Sequence, residues 1–266
     1  MAVQTVDRYR APALDKGLDI IELLAASPAP LTQTEIGKGL GRAQNEIYRM
    51  LDTLVRRGYV AKSPEGDKYT LTLRLLAVAN TYPPHRRMLD IAEPVMRQVA
   101  AALEQSLHLA VWENGEFRIA AAFSSPGNWR LSLRIGSRIG LYNTGSGKVL
   151  AAFQPEETRR RMIAEHRLVP AEQGIREKPF FTLLDQIKTQ GHVSEDSAHT
   201  VGVTNLACPV LDPFGNAIAA LTCPYVERID SHSAPDRKGA IAALAAAASE
   251  LGEALVGVPQ IAEAGT

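Results

Sequence analysis

The 266-residue sequence has few of the features that mark membrane or secreted proteins. Its longest apolar run, from Ala240 to Ala248, is far too short to span a bilayer, and the first residues contain no apolar segment typical of a signal peptide. It contains two cysteines, which fits a reducing compartment. We therefore expect a cytosolic protein that does not insert into a membrane.

The two cysteines, Cys208 and Cys223, are predicted to be buried free thiols. Both lie on a predicted hairpin at 204–225. If Leu211 pairs with Asn216 across the turn, the two sulfur atoms do not face each other, so a disulfide is not expected. A buried cysteine without a partner behaves as a small apolar side chain.

Catalytic motifs are also lacking. The run at 145–148 resembles a phosphate-binding loop, but Tyr142 occupies the position of its first glycine and Val149 offers no hydroxyl for magnesium. Ser146 does not lie in a nucleophile elbow, because Thr144 occupies the position that requires glycine. The six histidines show no spacing typical of metal ligands. We predict no catalytic residue, no metal site and no cofactor.

The formal net charge is zero, and this balance conceals a difference between the two ends of the chain. Residues 1–90 contain 13 Lys and Arg against 10 Asp and Glu, which gives +3. Residues 91–266 contain the other 16 against 19, which gives −3. Such a mild asymmetry is a weak sign of nucleic-acid binding, and it places the positive charge in the N-terminal part.

The N-terminal part contains a strong signal for the start of a helix. Thr32 and Glu35 have the spacing of a capping box, in which each side chain bonds the backbone amide of the other residue. Leu31 and Ile36 flank that box at the spacing of a hydrophobic staple. The glycines at 39–41 then allow a tight turn, so we predict a short helix followed by a second one.

The second helix has one apolar and one polar side. Its apolar residues recur at intervals of three and four, which is typical of a helix packed on a core through one face: Ile47, Met50, Leu51, Leu54 and Val55. At 100° per residue, the other side carries Arg42, Asn45, Arg49 and Arg56, with Glu46 and Thr53 beside them. Such side chains bind base edges and phosphates.

Two short strands, 59–62 and 68–73, are predicted after Gly58 ends the helix, with a turn at 63–67. A helix pair followed by a two-stranded wing is typical of DNA-binding domains. The side chains proposed to contact DNA come from both helices and from the wing: Thr32, Arg42, Gln44, Asn45, Glu46, Arg49, Arg56, Lys62 and Lys68.

A purely structural role is the alternative for these side chains. Amphipathic helix pairs with a glycine-bearing turn occur in many all-α cores, where the outer face is simply solvated. In that case Arg49 pairs with Glu46 or Asp52, three residues away. The wing and its two lysines favour DNA binding over this alternative.

The rest of the chain is predicted to form helices around a mostly antiparallel sheet, which is an α+β arrangement. A helical connector follows the wing and is interrupted at 82–84, where Pro83 and Pro84 follow Tyr82. The elements predicted beyond it are a helix at 88–105, strands at 107–112 and 117–123, extended pieces within 131–139, helices starting near Thr144 and near Pro155, a helix at 180–189, the hairpin at 204–225, and a last helix capped by Ser233 and Asp236 that ends near Leu255.

Taken together, these stretches resemble the IclR-type bacterial transcriptional regulators from Leu14 to Leu255. The similarity is carried by Leu14–Leu24, Arg49–Leu54, Gly58–Val60, the wing, the run LYNTGSGKVLAA at 141–152, and the block from Gly191 to Val210. It implies a winged helix-turn-helix domain at 1–74, a linker helix at 75–90, a GAF-like effector-binding domain at 91–256 and a tail at 257–266. It also implies a homodimer or homotetramer that binds a palindromic operator.

The same resemblance points to an effector site, and part of that site follows from the residues. A helix beginning at Asn143 or Thr144 presents free amides that favour an anion. With the hairpin pairing given above, Asn205 lies opposite Thr222. The effector-binding residues implied by the resemblance are Gly145, Ser146, Glu195, Asn205, Thr222 and Pro224, with walls formed by Leu131, Ile139 and Leu141.

Two questions about this site stay open at the level of sequence. Asn205 and Thr222 could simply bond each other, with Glu195 exposed to solvent. Glu195 would also repel the anion that the helix start favours. The sequence departs from the family here, because Asn205 takes a place that is often Cys and Glu195 one that is often Asp.

In the DNA-binding part, Gln44-Asn45-Glu46 stands where the family often has Lys-Ser-Thr, so the operator cannot be taken from a relative.

The helix near 14–25 is expected to contact a second subunit. One apolar stripe, which we assign to the domain's own core, is formed by Leu14, Leu18, Ile21 and Ala25. Ile20 and Leu23 fall on the opposite side, and we predict that they form the dimer contact.

The function that these observations favour is a non-enzymatic, DNA-binding transcriptional regulator. It would act as a repressor or dual regulator of a catabolic operon under the control of a small organic acid. The alternative is a small-molecule-binding or enzymatic GAF-like protein whose N-terminal domain binds a protein partner. Salt-dependent binding to promoter DNA distinguishes the two.

Overall fold

The computed structural model describes residues 11–64, 66–127, 131–229 and 234–255. The chain divides into two compact units, Met1–Tyr82 and Pro83–Thr266. The predicted capping residue Ser233 and the predicted tail at 257–266 lie outside the described residues. None of the helices in the described ranges has the length and apolar character needed to cross a membrane.

The N-terminal unit combines helices with a small antiparallel sheet. Its elements, over the residues described, are α1 (Pro12–Ala26), β1 (Leu31–Thr32), α2 (Gln33–Gly39), α3 (Gln44–Arg56), β2 (Val60–Lys62), β3 (Lys68–Leu71) and α4 (Arg74–Thr81). The strand order is β1-β3-β2. The predicted helix pair and wing are confirmed, while the pairing of β1 with β3 is an addition that the sequence did not indicate.

The predicted capping box forms at the start of α2. The Thr32 hydroxyl accepts a hydrogen bond from the Glu35 amide at 3.2 Å, and the Glu35 carboxylate accepts one from the Thr32 amide at 2.8 Å. Gly41 then adopts a positive φ of 63°, a conformation that side chains disfavour, and this allows the turn into α3. The start of α3 is therefore fixed by local chemistry.

The core of this unit corrects the expected orientation of α1. Ile20 is fully buried, and it packs with Ile36, Ile47 and Leu51. Leu23 also lies against this core. The prediction that Ile20 contacts a second subunit is therefore wrong, and Leu23 is partly buried against the same core.

The opposite stripe of α1 is the exposed one, with Leu14 62% and Leu18 48% exposed. The two stripes are similarly apolar in sequence, so periodicity alone could not decide which of them faces inward. The packing of Leu23 against Gly39 of α2 settles the orientation, since a Cβ added at Gly39 would lie 3.0 Å from a Leu23 methyl group.

The C-terminal unit contains a six-stranded sheet with helices on both faces. Its elements, over the residues described, are α5 (Pro83–Leu103), β4 (Leu107–Glu113), β5 (Glu116–Phe123), β6 (Arg138–Ile139), α6 (Gly145–Ala152), α7 (Glu156–Glu165), α8 (Glu177–Gln190), β7 (Val193–Asp196), β8 (Val203–Leu211), β9 (Ala217–Val226) and α9 (Arg237–Leu255). The strand order is β6-β5-β4-β9-β8-β7, and every pairing is antiparallel. The predicted α+β architecture is confirmed.

The two faces of this sheet belong to separate cores. One face packs against α5 and α9 and contains both cysteines. The other packs against α6 and α8 and contains small residues such as Ala110, Ala207 and Ala220. Cys208 and Cys223 are free and buried, as predicted, and burial raises the pKa of each thiol to about 12.

The hairpin of β8 and β9 has a different register from the one predicted. The Asp212 carboxylate accepts hydrogen bonds from the Phe214 and Asn216 amides at 2.9 and 2.8 Å, which lengthens the turn. A bulge after Val210 adds a further shift. On the side of the bulge away from the turn, each residue of β8 therefore pairs with a residue of β9 that lies two positions later than predicted.

As a result, Asn205 pairs with Pro224 and Thr222 pairs with Ala207, so Asn205 and Thr222 are not directly opposite each other. A shift of two positions preserves the face of the sheet, because side chains alternate with a period of two. Both side chains therefore still point toward α6.

The connector also differs from its prediction. The stretch predicted as a linker helix, 75–90, is divided between α4 and α5, and the boundary between the two units follows Tyr82. Pro83 begins α5 because the first turn of a helix needs no amide donor. Residues 131–134 form no regular element, whereas β6 supplies one short extended piece at 138–139.

Candidate functional site

The outward side of α3 exposes a compact set of polar side chains. Asn45, Arg49 and Arg56 are all exposed, while Ile47 and Leu51 on the other side are buried. The buried side fixes the helix, and the side that carries these three residues is exposed to solvent. This arrangement is as predicted.

Two of the charged candidates have partners within the unit. Arg42 precedes the helix instead of lying on its outer face, and its guanidinium is 3.0 Å from the Asp19 carboxylate of α1. Glu46 accepts a hydrogen bond from Lys16 at 3.0 Å and another from the Ala43 amide. These two bonds, the one from Lys16 above all, lower the pKa of Glu46.

Two further candidates help to join α2 to α3. Gln44 donates a hydrogen bond to the Thr34 hydroxyl, and its carbonyl oxygen accepts one from Gln33 at 3.1 Å. The Thr32 hydroxyl is used in the capping box. In the wing, Lys62 and Lys68 are exposed on neighbouring strands, as predicted.

One exposed residue of α3 was missing from the prediction. Tyr48 is 57% exposed and follows Asn45 by three positions. The helical wheel places it at the border between the apolar and polar sides, where an aromatic side chain is readily taken for part of the core. Because Tyr48 lies off the main apolar stripe, the sequence did contain a sign that its side chain is exposed.

The start of α6 is built around buried hydroxyl groups. Thr144 is the N-cap residue, and its hydroxyl accepts a hydrogen bond from the Gly147 amide at 3.0 Å. The Ser146 hydroxyl lies 2.9 Å from the Thr222 hydroxyl of β9 and 3.1 Å from Nε2 of His108 on β4. Ser146 is thus directed at the sheet, and the Gly147 amide is already occupied.

The sequence gives His108 no predicted role, because its spacing from the other histidines is not typical of metal ligands. Its imidazole is buried beneath α6, and this burial lowers its pKa to about 4. It is therefore neutral at physiological pH. His108 pairs directly with Thr222 across β4 and β9, so the three polar side chains form one network.

Lys148 resolves the predicted conflict at Glu195. Its ammonium nitrogen lies 2.8 and 2.7 Å from the two carboxylate oxygens of Glu195. The Lys148 side chain is 12% exposed and that of Glu195 31%, so the pair is partly shielded from solvent. Glu195 therefore does not present an unbalanced negative charge. Lys148 was overlooked because it was considered only as part of a failed phosphate-loop motif.

Gly145 brings α6 close to the edge of the sheet. A Cβ added at Gly145 would lie 3.3 to 3.4 Å from side-chain atoms of Val193, Asn205 and Ala207. Asn205 pairs with Glu195 on one side and with Pro224 on the other. The structure therefore brings five predicted residues together on one face: Gly145, Ser146, Glu195, Asn205 and Thr222, with Pro224 in the same row.

The three residues predicted to line the effector site differ in how deeply they are buried. Ile139 and Leu141 are buried in the core between the sheet and α6. Leu131 is 39% exposed.

A second polar cluster supports the loop before α6, since Glu172 accepts hydrogen bonds from the Tyr142 amide at 2.7 Å and from His166 at 2.8 Å.

Comparison with known families gives two matches that together span most of the chain. The model of the IclR helix-turn-helix domain matches residues 13–64, and that of the bacterial transcriptional regulator IclR C-terminal domain matches residues 81–251. The second match alone covers more than half of the chain.

Individual relatives agree with these matches. HTH-type transcriptional regulator KdgR of Escherichia coli (strain K12) is 27% identical over 194 residues, which cover 72% of this chain and 74% of that protein. The glycerol operon regulatory protein of Streptomyces griseus is 26% identical over 225 residues, 84% of this chain and 88% of that protein.

A solved structure shares the fold. It is an IclR homolog from Microbacterium hydrocarbonoxydans complexed with 4-hydroxybenzoate, with a TM-score of 0.75 and 22% identity. The match covers 91% of this chain and 98% of that one.

Proposed function

Since this chain belongs to the IclR family of bacterial transcriptional regulators, we propose that it binds double-stranded promoter DNA through α3 and a small organic acid through its C-terminal unit. It would act as a repressor or dual regulator of a catabolic operon, without catalytic activity of its own. Because it has to reach DNA, we expect it in the cytoplasm. The names of its relatives, an HTH-type transcriptional regulator and a glycerol operon regulatory protein, support this proposal.

One observation carries the DNA-binding part of the proposal. Asn45 and Arg49 lie exposed on a helix whose other side is fixed in a core. Asparagine can bond both the N6 and N7 positions of adenine, and arginine the O6 and N7 positions of guanine. Arg42 and Glu46 contribute less in this account, because their charges are already paired with α1.

Binding to promoter DNA at increasing salt tests this part. Neutralising phosphates releases counterions, so the affinity of a dimer should fall by about a thousandfold between 50 and 200 mM salt. Asn45→Ala should cost about 1–3 kcal/mol of specific affinity and leave the fold intact. Arg97→Ala, which removes an exposed arginine from α5, serves as the control. Footprints of Asn45→Ala equal to those of the wild type would contradict the assignment.

The effector site is proposed at the edge of the sheet beside Gly145. Asn205 offers an amide there, and the Lys148 ammonium neutralises Glu195, so that this carboxylate does not repel an acid. Ser146 is unsuitable as a contact, because its hydroxyl is engaged with His108 and Thr222. A bulky residue at Asn205 is therefore a better block of the site than one at Ser146.

We also propose a homo-oligomer, a dimer or a tetramer, that binds a palindromic operator. The exposed stripe of α1, Leu14 and Leu18, replaces Ile20 and Leu23 as its contact. Light scattering on Leu18→Glu should show a smaller assembly than on Val201→Glu, a control at a fully exposed loop position. Equal masses for the two variants would reject this contact.

A further inference from the structure

We propose that the ring of Tyr48 contacts the C5-methyl group of a thymine in each operator half-site, beside the base that Asn45 reads. This inference rests on the proposed function, because it needs α3 to lie in the major groove. It adds a residue that determines sequence specificity and predicts a feature of the operator that can be measured.

Tyr48 does not belong to the hydrophobic core of its unit. The residues on the buried side of α3 at this level are Ile47 and Leu51, which are 0% and 1% exposed. Tyr48 itself is more than half exposed and is the fifth residue of the helix. The first turns of a recognition helix are the part that reaches base edges.

The other polar residues near the start of α3 are already engaged. Arg42 is paired with Asp19, Glu46 with Lys16, and Gln44 bonds Thr34.

The exposed side chains that remain at this end are Asn45, Tyr48 and Arg49. Their spacing of three and four residues places them in one patch on the helix surface. A base pair that meets this patch therefore meets an amide, an aromatic ring and a guanidinium together.

The chemistry of the patch favours a thymine. An adenine read by Asn45 is paired with a thymine, whose C5-methyl group lies in the same major groove. This methyl is an apolar feature of the groove, and apolar side chains contact it. The exposed ring of Tyr48 offers such a surface. Its hydroxyl could instead contact a phosphate, but that contact would be independent of base sequence.

Substitution of thymine by uracil in the operator tests the proposal, because deoxyuridine lacks only the methyl group. The full-length protein is first used to select its site from a random DNA library. Each thymine of one half-site is then replaced singly by deoxyuridine, and Kd is measured for the wild type, Tyr48→Ala and Tyr48→Phe. Phe214→Ala, which removes an exposed ring from the hairpin of β8 and β9, is the matched control.

The wild type, Tyr48→Phe and Phe214→Ala should bind about fourfold more weakly when one particular thymine is replaced. Tyr48→Ala should bind the two DNAs equally and melt at the wild-type temperature. The proposal is overturned if no thymine is sensitive, if Tyr48→Ala keeps the sensitivity, or if Tyr48→Phe weakens binding to all sequences alike, which would indicate a phosphate contact. If the wild type selects no site at all, the proposed function fails, and this inference with it.

Discussion

The helices α3 and α6 place polar side chains in opposite environments. On α3 the polar residues face outward, so that Asn45 and Arg49 are exposed. On α6 the Ser146 hydroxyl faces inward and bonds a buried imidazole and another hydroxyl. Substitutions on the two helices should therefore have different consequences: changes on α3 should alter binding without altering stability, and changes on α6 should alter stability first.

The largest effect is expected at Gly147. A Cβ there would lie 2.4 Å from the Gly140 carbonyl oxygen and 2.7 Å from Cα of Leu141, and both are backbone atoms that cannot rotate away. Gly147→Ala should therefore lower the free energy of unfolding by about 3 kcal/mol in urea titrations. Gly17→Ala on α1, where a Cβ meets nothing within 4 Å, should instead raise it by up to about 1 kcal/mol. Equal stability of the two variants would contradict the close packing of α6.

The next effect concerns His108 and pH. Burial lowers its folded-state pKa from 6.5 to about 4, so the unfolded state binds the proton more readily. The stability from this residue is complete above pH 6.5 and is lost as the pH falls from about 6.5 to about 4. Between pH 7 and pH 5, His108 should account for a loss of about 2 kcal/mol.

His108→Asn should remove this loss, because asparagine does not titrate. The check is the difference in unfolding free energy between pH 7 and pH 5, measured for both proteins. If the variant loses as much stability as the wild type, His108 is not a buried neutral group beneath α6.

A smaller effect is expected at the Lys148–Glu195 pair. Lys148→Met leaves a partly exposed carboxylate without its partner, which should cost about 1 to 2 kcal/mol in unfolding experiments. Lys62→Met in the wing removes an exposed lysine and should change the unfolding free energy by less than about 0.5 kcal/mol. Similar values for both variants would mean that the pair is screened by solvent.

The same difference between the helices explains what could be predicted from sequence. The apolar stripe of α3 could be recognised in the sequence because only one side of that helix is buried. The capping box at Thr32 indicated where the preceding helix, α2, begins. Almost all of α6 is buried, so its sequence shows no polar side, and the partners of Ser146 come from distant strands. No local pattern could have identified His108, which lies 38 residues away.

Two errors have equally specific causes. The hairpin register depended on Asp212, whose side-chain bonds lengthen the turn, and on a bulge that no sequence signal marked. The orientation of α1 depended on two apolar stripes of similar strength, and the stripe that contains Ile20 was predicted to face outward although it is the buried one. The first outcome was decided by local bonds in the turn and by the bulge, and the second by tertiary packing.

We propose that α3 reads DNA while the face beside Gly145 binds an acid. The most direct test is the affinity of the full-length protein for its selected operator in the presence of acetate, glycolate, pyruvate, benzoate or 4-hydroxybenzoate. At least one acid should change the apparent Kd of the wild type fivefold or more. Asn205→Trp should bind the operator as the wild type does and fail to respond to that acid. A wild type unaffected by every acid, or an Asn205→Trp protein that responds normally, would contradict the claim.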